Sequence, residues 1–168
     1  LIDLVIAAEK SKYSRNELIH YFLNQLVDTL YKTPFIRVGF IVYCKYAVPL
    51  IDLSTEYRNL GEIYAHIPVL RGVPEPAKAI YEAVEMLFDL EDQLTLKKKI
   101  VLIASFIKEP SISLEDALEY ASMNDTRVLI IRAPQKKTHW ILAEYEKAPE
   151  GVHLRKNNIP DIINELLK

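Results

Sequence analysis

The sequence predicts an α/β fold: a three-layer, Rossmann-like sandwich around a six-stranded, mostly parallel sheet with one antiparallel edge strand. Three observations carry this expectation. Apolar strand-like runs alternate with amphipathic helix patterns along the whole chain, which calls for right-handed βαβ crossovers. Residues 100–104 (Ile-Val-Leu-Ile-Ala) form an almost uninterrupted apolar run, the pattern of a parallel strand covered on both faces. Only a tight turn separates the strand patterns at 36–44 and 46–53, so this pair is antiparallel, and Pro49 assigns the second of them to an edge.

In chain order, residues 2–8 read as the first strand and a helix opens at Ser14. Ser14-Arg15-Asn16-Glu17 has the form of a capping box, in which hydroxyl and carboxylate satisfy orphan backbone donors reciprocally. Leu18, Phe22, Leu26 and Leu30 make that helix's apolar stripe, and Thr33-Pro34 ends it. The hairpin 36–53 is followed by a short helix over 56–66. A stronger helix runs from the loop 71–76 to about residue 90, with Ile80, Val84, Leu87 and Phe88 inward. Lys97, Lys98 and Lys99 lead into the strand at 100–104. Ser113 caps a helix through Tyr120, with Asp116 as reciprocal partner. Residues 127–131 form a buried strand, 140–147 a helix, 151–155 the last strand and 160–167 the last helix. There is no internal repeat, low-complexity tract or long linker, so residues 1–168 read as a single domain.

The bulk composition excludes several classes. A chain of 168 residues with 50% apolar and 26% charged residues is long enough for one full core and is not a disordered composition. A net charge of −2 gives no global electrostatic case for direct nucleic-acid contact. Cys44 is the only cysteine, which rules out an internal disulfide, and its apolar strand context reads as a small core residue. No apolar run approaches the ~20 residues of a membrane span. No signal peptide is visible, and an intracellular, cytoplasmic setting is the expectation. Because the chain opens on Leu1 inside a strand, it reads as excised from a longer protein, and a targeting segment would lie outside it. Few Gln and Met beside many Ile, Tyr, Lys and Glu suggest a thermophile by composition.

Most catalytic signatures are missing. Gly39, Gly61, Gly72 and Gly151 are the only glycines, and none forms a nucleotide phosphate loop. His20, His66, His139 and His153 lack metal-ligand spacing, and His20 reads as a surface residue of its helix. Ser105 has no Gly-x-Ser-x-Gly elbow, although a Ser-His-acid triad assembles only in space, so a hydrolase stays open as an alternative. Lys97 to Lys99 and Lys136-Lys137 read as solvated basic clusters, the first preceding its strand and so at the sheet's opposite end from the C-terminal strand ends. Tyr21, Tyr31, Tyr57, Tyr64 and Tyr81 sit in helix patterns that suit core-boundary packing.

The opening residues carry a family resemblance. The strand Ile2-Asp3-Leu4-Val5-Ile6-Ala7-Ala8, followed by Glu9-Lys10-Ser11-Lys12-Tyr13 and a helix start, resembles the first strand and Asp-x-Ser-x-Ser loop of a von Willebrand factor A-type (vWA) domain. Residues 38–43 resemble the family's second strand. Residues 71–80 are similar to its Gly-Gly-Thr-x-Thr-Gly-x-Ala-Leu loop, and 100–105 to the strand that ends in Thr-Asp-Gly. Residues 142–166 resemble the closing helix-strand-helix. The resemblance implies a site above the C-terminal strand ends, where a hard cation is held by oxygens and a partner's carboxylate completes the shell.

Carried over by position, the first-loop ligands are Glu9, Ser11 and Tyr13, the second-loop Thr falls on Val73 or Pro74, and the third-loop Asp falls on Ser105. Only Ser11 keeps the ligand type. Glu9, Ser11 and Ser105 are then vestigial candidates, and no metal or other cofactor is expected. Lys10, Lys12, Arg71, Lys108 and Arg132 fall at the same rim, partly offset by Glu9, Glu75 and Glu109, and like charge opposes a divalent ion. The implied function is a non-enzymatic, metal-free protein-protein interaction domain. Its partner would contact Glu9, Lys10, Ser11, Lys12, Arg71, Glu75, Ser105, Lys108 and Arg132. The alternatives are a vWA-like subunit of a nucleic-acid-handling complex and a hydrolase on a related α/β fold.

Overall fold

A computed structural model describes residues 2–88, 97–105, 113–132, 140–146 and 151–168, with the backbone alone described for 140–146 and 151–157. The first strand, β1 (Ile2–Glu9), lies at the heart of the sheet. β2 (Ile36–Tyr43) and β4 (Lys97–Ala104) flank it, both parallel, and β5 (Thr126–Arg132) lies parallel beyond β4. β3 (Ala47–Ser54) pairs antiparallel with β2 and closes that edge, as the tight turn requires. These five strands make a mixed sheet, mostly parallel, with one antiparallel edge.

The sheet does not stop at the expected six strands. β6 (Trp140–Glu146) and β7 (Gly151–Asn157) continue it antiparallel beyond β5, giving seven strands in the order β3-β2-β1-β4-β5-β6-β7. The helix expected over 140–147 is therefore a strand. Its apolar run is too short for periodicity to separate helix from strand. Pairing decides the matter: β7 supplies backbone partners from Trp140↔Asn157 to Glu146↔Gly151.

Helices cover both faces. α1 (Asn16–Leu30), α2 (Leu60–His66) and α5 (Ile159–Leu167) pack on Leu4, Ile6 and Ala8 of β1. α3 (Pro76–Phe88) and α4 (Leu114–Met123) pack on Val5 and Ala7. Alternate side chains of one strand thus feed two cores, as the period of two requires. α1 buries Ile19, Leu23 and Val27 beside Phe22, Leu26 and Leu30, a wider stripe than expected, and Leu18 is only partly buried. Ile80, Val84 and Leu87 of α3 face inward, but Phe88 is 49% exposed, and its ring carries the Lys98 ammonium 4.9 Å from its centre. No helix among the described residues is long and apolar enough to cross a membrane.

Two local expectations change. Ser14 does not cap α1: Arg15 is the N-cap, without a side-chain cap. The Ser14 hydroxyl instead accepts from the Ser11 N–H at 3.0 Å, so it shapes the loop before the helix. Ser113 does cap α4, accepting from the Asp116 N–H at 3.2 Å. The Lys97 to Lys99 cluster is not simply solvated. Lys99 is 2% exposed and its ammonium donates to the Leu166 carbonyl at 2.7 Å, while Lys97 donates to the Lys168 carbonyl. Cations there satisfy orphan carbonyls at the C-terminus of α5 and interact favourably with the negative end of its dipole. Lys136 and Lys137 lie outside the described residues.

Candidate binding rim above the sheet

Because β1, β2, β4 and β5 are parallel, their C-terminal ends share one rim. β1 delivers Glu9 to it, 1% exposed. One oxygen of that carboxylate, Oε2, accepts from the Ser11 hydroxyl at 2.6 Å. The other, Oε1, accepts from the Ser105 N–H at 3.1 Å and the Ser105 hydroxyl at 3.0 Å. Ser11 is wholly buried, and its Oγ also accepts from the Tyr13 N–H at 3.0 Å. Glu9 therefore ties the end of β1 to its own loop and to the end of β4.

A second layer lies beneath. The Tyr64 hydroxyl of α2 donates to the Glu9 carbonyl at 2.7 Å. Lys10 folds inward, 7% exposed, with its ammonium donating to the Tyr64 carbonyl at 3.1 Å and lying 4.3 Å from the ring centre. Burial lowers the Lys10 pKa. Burial first, then the Glu9 charge, raises those of Tyr64 and Tyr43. The Tyr43 hydroxyl donates to the Ile103 carbonyl at 3.0 Å.

Backbone bonds knit the loops together. Lys10 N–H donates to the Tyr43 carbonyl at 3.0 Å, and Leu70 N–H to the Lys10 carbonyl at 2.9 Å. Ser11 and Leu70 form an isolated parallel bridge. The next residues, Lys12 and Arg71, are both exposed and leave the bridge side by side. Glu75 N–H donates to the Cys44 carbonyl at 2.8 Å, and the buried Cys44 thiol donates to the Gly72 carbonyl at 3.3 Å. Gly72 has φ +101, and a Cβ there would lie 2.9 Å from the Lys45 Cβ. Only glycine accommodates both conditions without strain.

Solved structures share this architecture. BatB from Bacteroides thetaiotaomicron matches over 98% of this chain and 84% of its own, with TM-score 0.68 and 13% identity. The manganese-loaded TRAP protein of Plasmodium vivax matches over 82% and 59%, with TM-score 0.67 and 14% identity. The SpRpn10 VWA domain matches over 79% and 75%, with TM-score 0.61 and 16% identity. The fold is that of a vWA domain. Protein-family models and curated protein sequences give no match.

On this vWA scaffold the residues singled out by sequence separate into groups. Glu9, Ser11 and Ser105 come together in one hydrogen-bonded cluster. Lys12 and Arg71 reach solvent at the rim, and Arg132 is half-buried at the end of β5. Glu75 is 6% exposed and engaged within the fold. Lys10 is the correction: its ammonium turns under the rim to Tyr64 and is not presented to a partner. Lys108 and Glu109 lie outside the described residues. Sequence reading passed over Lys45, Tyr46 and Lys78. The signal for the first two was available: β2 runs parallel to β1, so its turn into β3 must sit at the rim.

Proposed function

We propose that this vWA-fold chain is a non-enzymatic protein-interaction domain that works without a bound metal and meets its partner through the exposed cations of the rim. The observation that carries the reading is the state of Glu9. Both of its oxygens already serve hydrogen bonds from Ser11 and Ser105. The donor set does not fit a hard divalent cation, which needs about six oxygens in open geometry. Val73 and Pro74 offer no side-chain oxygen, Ser105 replaces a carboxylate, and no group of three or more His, Cys, Asp and Glu gathers among the described residues. The Ser105 hydroxyl donates to a carboxylate, not to a histidine base, which supports binding over hydrolysis. A rigid sheet carrying exposed charged loops suits recognition. Without a metal, a partner carboxylate would pair directly with Lys12 or Arg71.

The test is capture from native lysate with Lys12→Glu/Arg71→Glu and, as control, Lys98→Glu at the opposite end. Lys99 is unsuitable as a control because its ammonium is buried. Rim reversal should weaken capture at least about tenfold while the control captures normally. Equal losses would indicate nonspecific electrostatics and overturn the assignment of the rim.

A further inference from the structure

We propose that the β2–β3 turn carries a clamp for acidic polypeptide segments, built by Tyr46 with Lys45 and Lys78. It rests on the rim reading above and names the partner's chemistry. Tyr46 is 64% exposed, and two ammonium groups share its ring: Lys78 at 4.5 Å and Lys45 at 5.6 Å from its centre. Among the described residues, no ion pair reaches Lys45, Lys78 or Arg71. The ring's negative face holds each cation. It leaves both ammonium groups charged, so two cations stand at one exposed ring without a carboxylate partner among the described residues. A carboxylate brought in by a partner would supply that counter-charge through a charge-assisted hydrogen bond to Lys45 or Lys78.

The surroundings define the rest of the ligand. The Lys45 stem packs over Gly72, which places the neighbouring Arg71 and Val73 beside the clamp. Val73 is 37% exposed, and Val48, two residues beyond Tyr46, is 44% exposed. Three cations interleaved with exposed apolar side chains complement a segment in which Asp and Glu alternate with apolar residues. Pro49 has no N–H to offer, which weakens the β3 edge as a template for an added strand and favours recognition through side chains. With a net charge of −2 the chain has no broad basic field of the kind that nucleic-acid binding draws on, so the local group of cations is matched to a short acidic segment.

The isotope-labelled chain is titrated, with its amide spectrum followed, against a short synthetic peptide of Asp and Glu interleaved with Leu. Its Asn/Gln counterpart and a single-stranded DNA oligomer are the comparison probes. The acidic peptide should produce saturable shifts at Tyr46, Gly72 and Lys78. The amide peptide should produce none. Tyr46→Ala and Lys45→Gln/Lys78→Gln should each weaken binding about tenfold or more, and Lys98→Gln should leave it unchanged. Tyr46 and Lys45 are exposed and Lys78 is half-buried, and the variants' spectra report directly that the fold is kept. If Lys12→Glu/Arg71→Glu abolishes binding while the clamp variants bind normally, the clamp is wrong and the rim reading stands. Peptide shifts at Lys97 and Lys98 would overturn both. Absence of saturable peptide binding, or preference for the DNA oligomer at the same residues, would overturn the clamp.

Discussion

Glu9 and Ser105 meet across the β1–β4 pair, and the carboxylate takes both hydrogen bonds that Ser105 donates, at 3.1 Å from its N–H and 3.0 Å from its hydroxyl. The same carboxylate accepts from Ser11. One side chain therefore closes the top of the sheet. Glu9→Ala leaves these buried donors without their acceptor and should cost about 2–4 kcal/mol in urea unfolding. Glu9→Gln keeps the shape but turns an amide nitrogen toward one donor group, so a loss of about 1–2 kcal/mol is expected. A loss below about 0.5 kcal/mol for Glu9→Ala, no more than an ordinary surface substitution, would show that the cluster is not holding the strand ends.

Metal titration checks the same cluster from the other side. Mg²⁺ or Mn²⁺ at millimolar concentration should give no saturable heat in calorimetry, and chelation should not move the melting temperature. A ligand that binds the folded state alone would raise stability by mass action. A micromolar dissociation constant abolished by Glu9→Ala would reverse the reading.

Alkaline titration reports on the two buried phenols. Tyr43 and Tyr64 have pKa values above the ordinary 10.0, chiefly through burial and secondarily through the Glu9 charge. In the unfolded chain they ionise near pH 10, while in the folded chain they stay neutral to higher pH. The unfolded state then binds fewer protons, so their contribution is complete below about pH 10 and is lost as pH rises above it. Tyrosinate absorbance should show Tyr43 and Tyr64 appearing only with loss of the folded circular-dichroism signal. Tyr64→Phe should remove one of these delayed phenols.

Lys99 and Lys98 are adjacent but should behave differently. Lys99→Ala takes a buried donor from the Leu166 carbonyl and should cost about 2–3 kcal/mol. Lys98→Ala loses only a contact over the exposed Phe88 ring and should cost less than about 1 kcal/mol. Paired denaturant melts of the two variants decide this, and equal costs would contradict the anchoring of α5 by the Lys99 hydrogen bond to Leu166.

The parallel centre was legible because strands covered on both faces read as apolar runs, as at Ile100 to Ala104, and because Pro49 marked an edge. Strand β6 was not, since residues 140–146 become a strand only through pairing with β7, a partner remote from local periodicity. Ser14 shows the same limit at smaller scale. Its spacing to Glu17 fits a cap, yet Ser11 lies close enough to claim its hydroxyl. At the site, the family resemblance set Glu9 and Ser11 at the end of the first strand and Ser105 at the end of the 100–104 strand, and the three are joined there by hydrogen bonds. It could not show that Lys10 turns inward, because that depends on Tyr64 standing beneath it, 54 residues away in sequence.

The backbone bonds that run from Tyr43 through Lys10 to Leu70, and from Cys44 to Glu75, have a consequence for binding kinetics. Loops tied together in this way have already lost the conformational freedom that a binding surface otherwise surrenders on capture, so association carries a small entropic penalty. The amide of Leu70, though it belongs to no helix or strand, should exchange with solvent as slowly as those of the neighbouring sheet. A partner would meet a surface of fixed shape, and differences in affinity among its variants would then reside in how long each complex lasts.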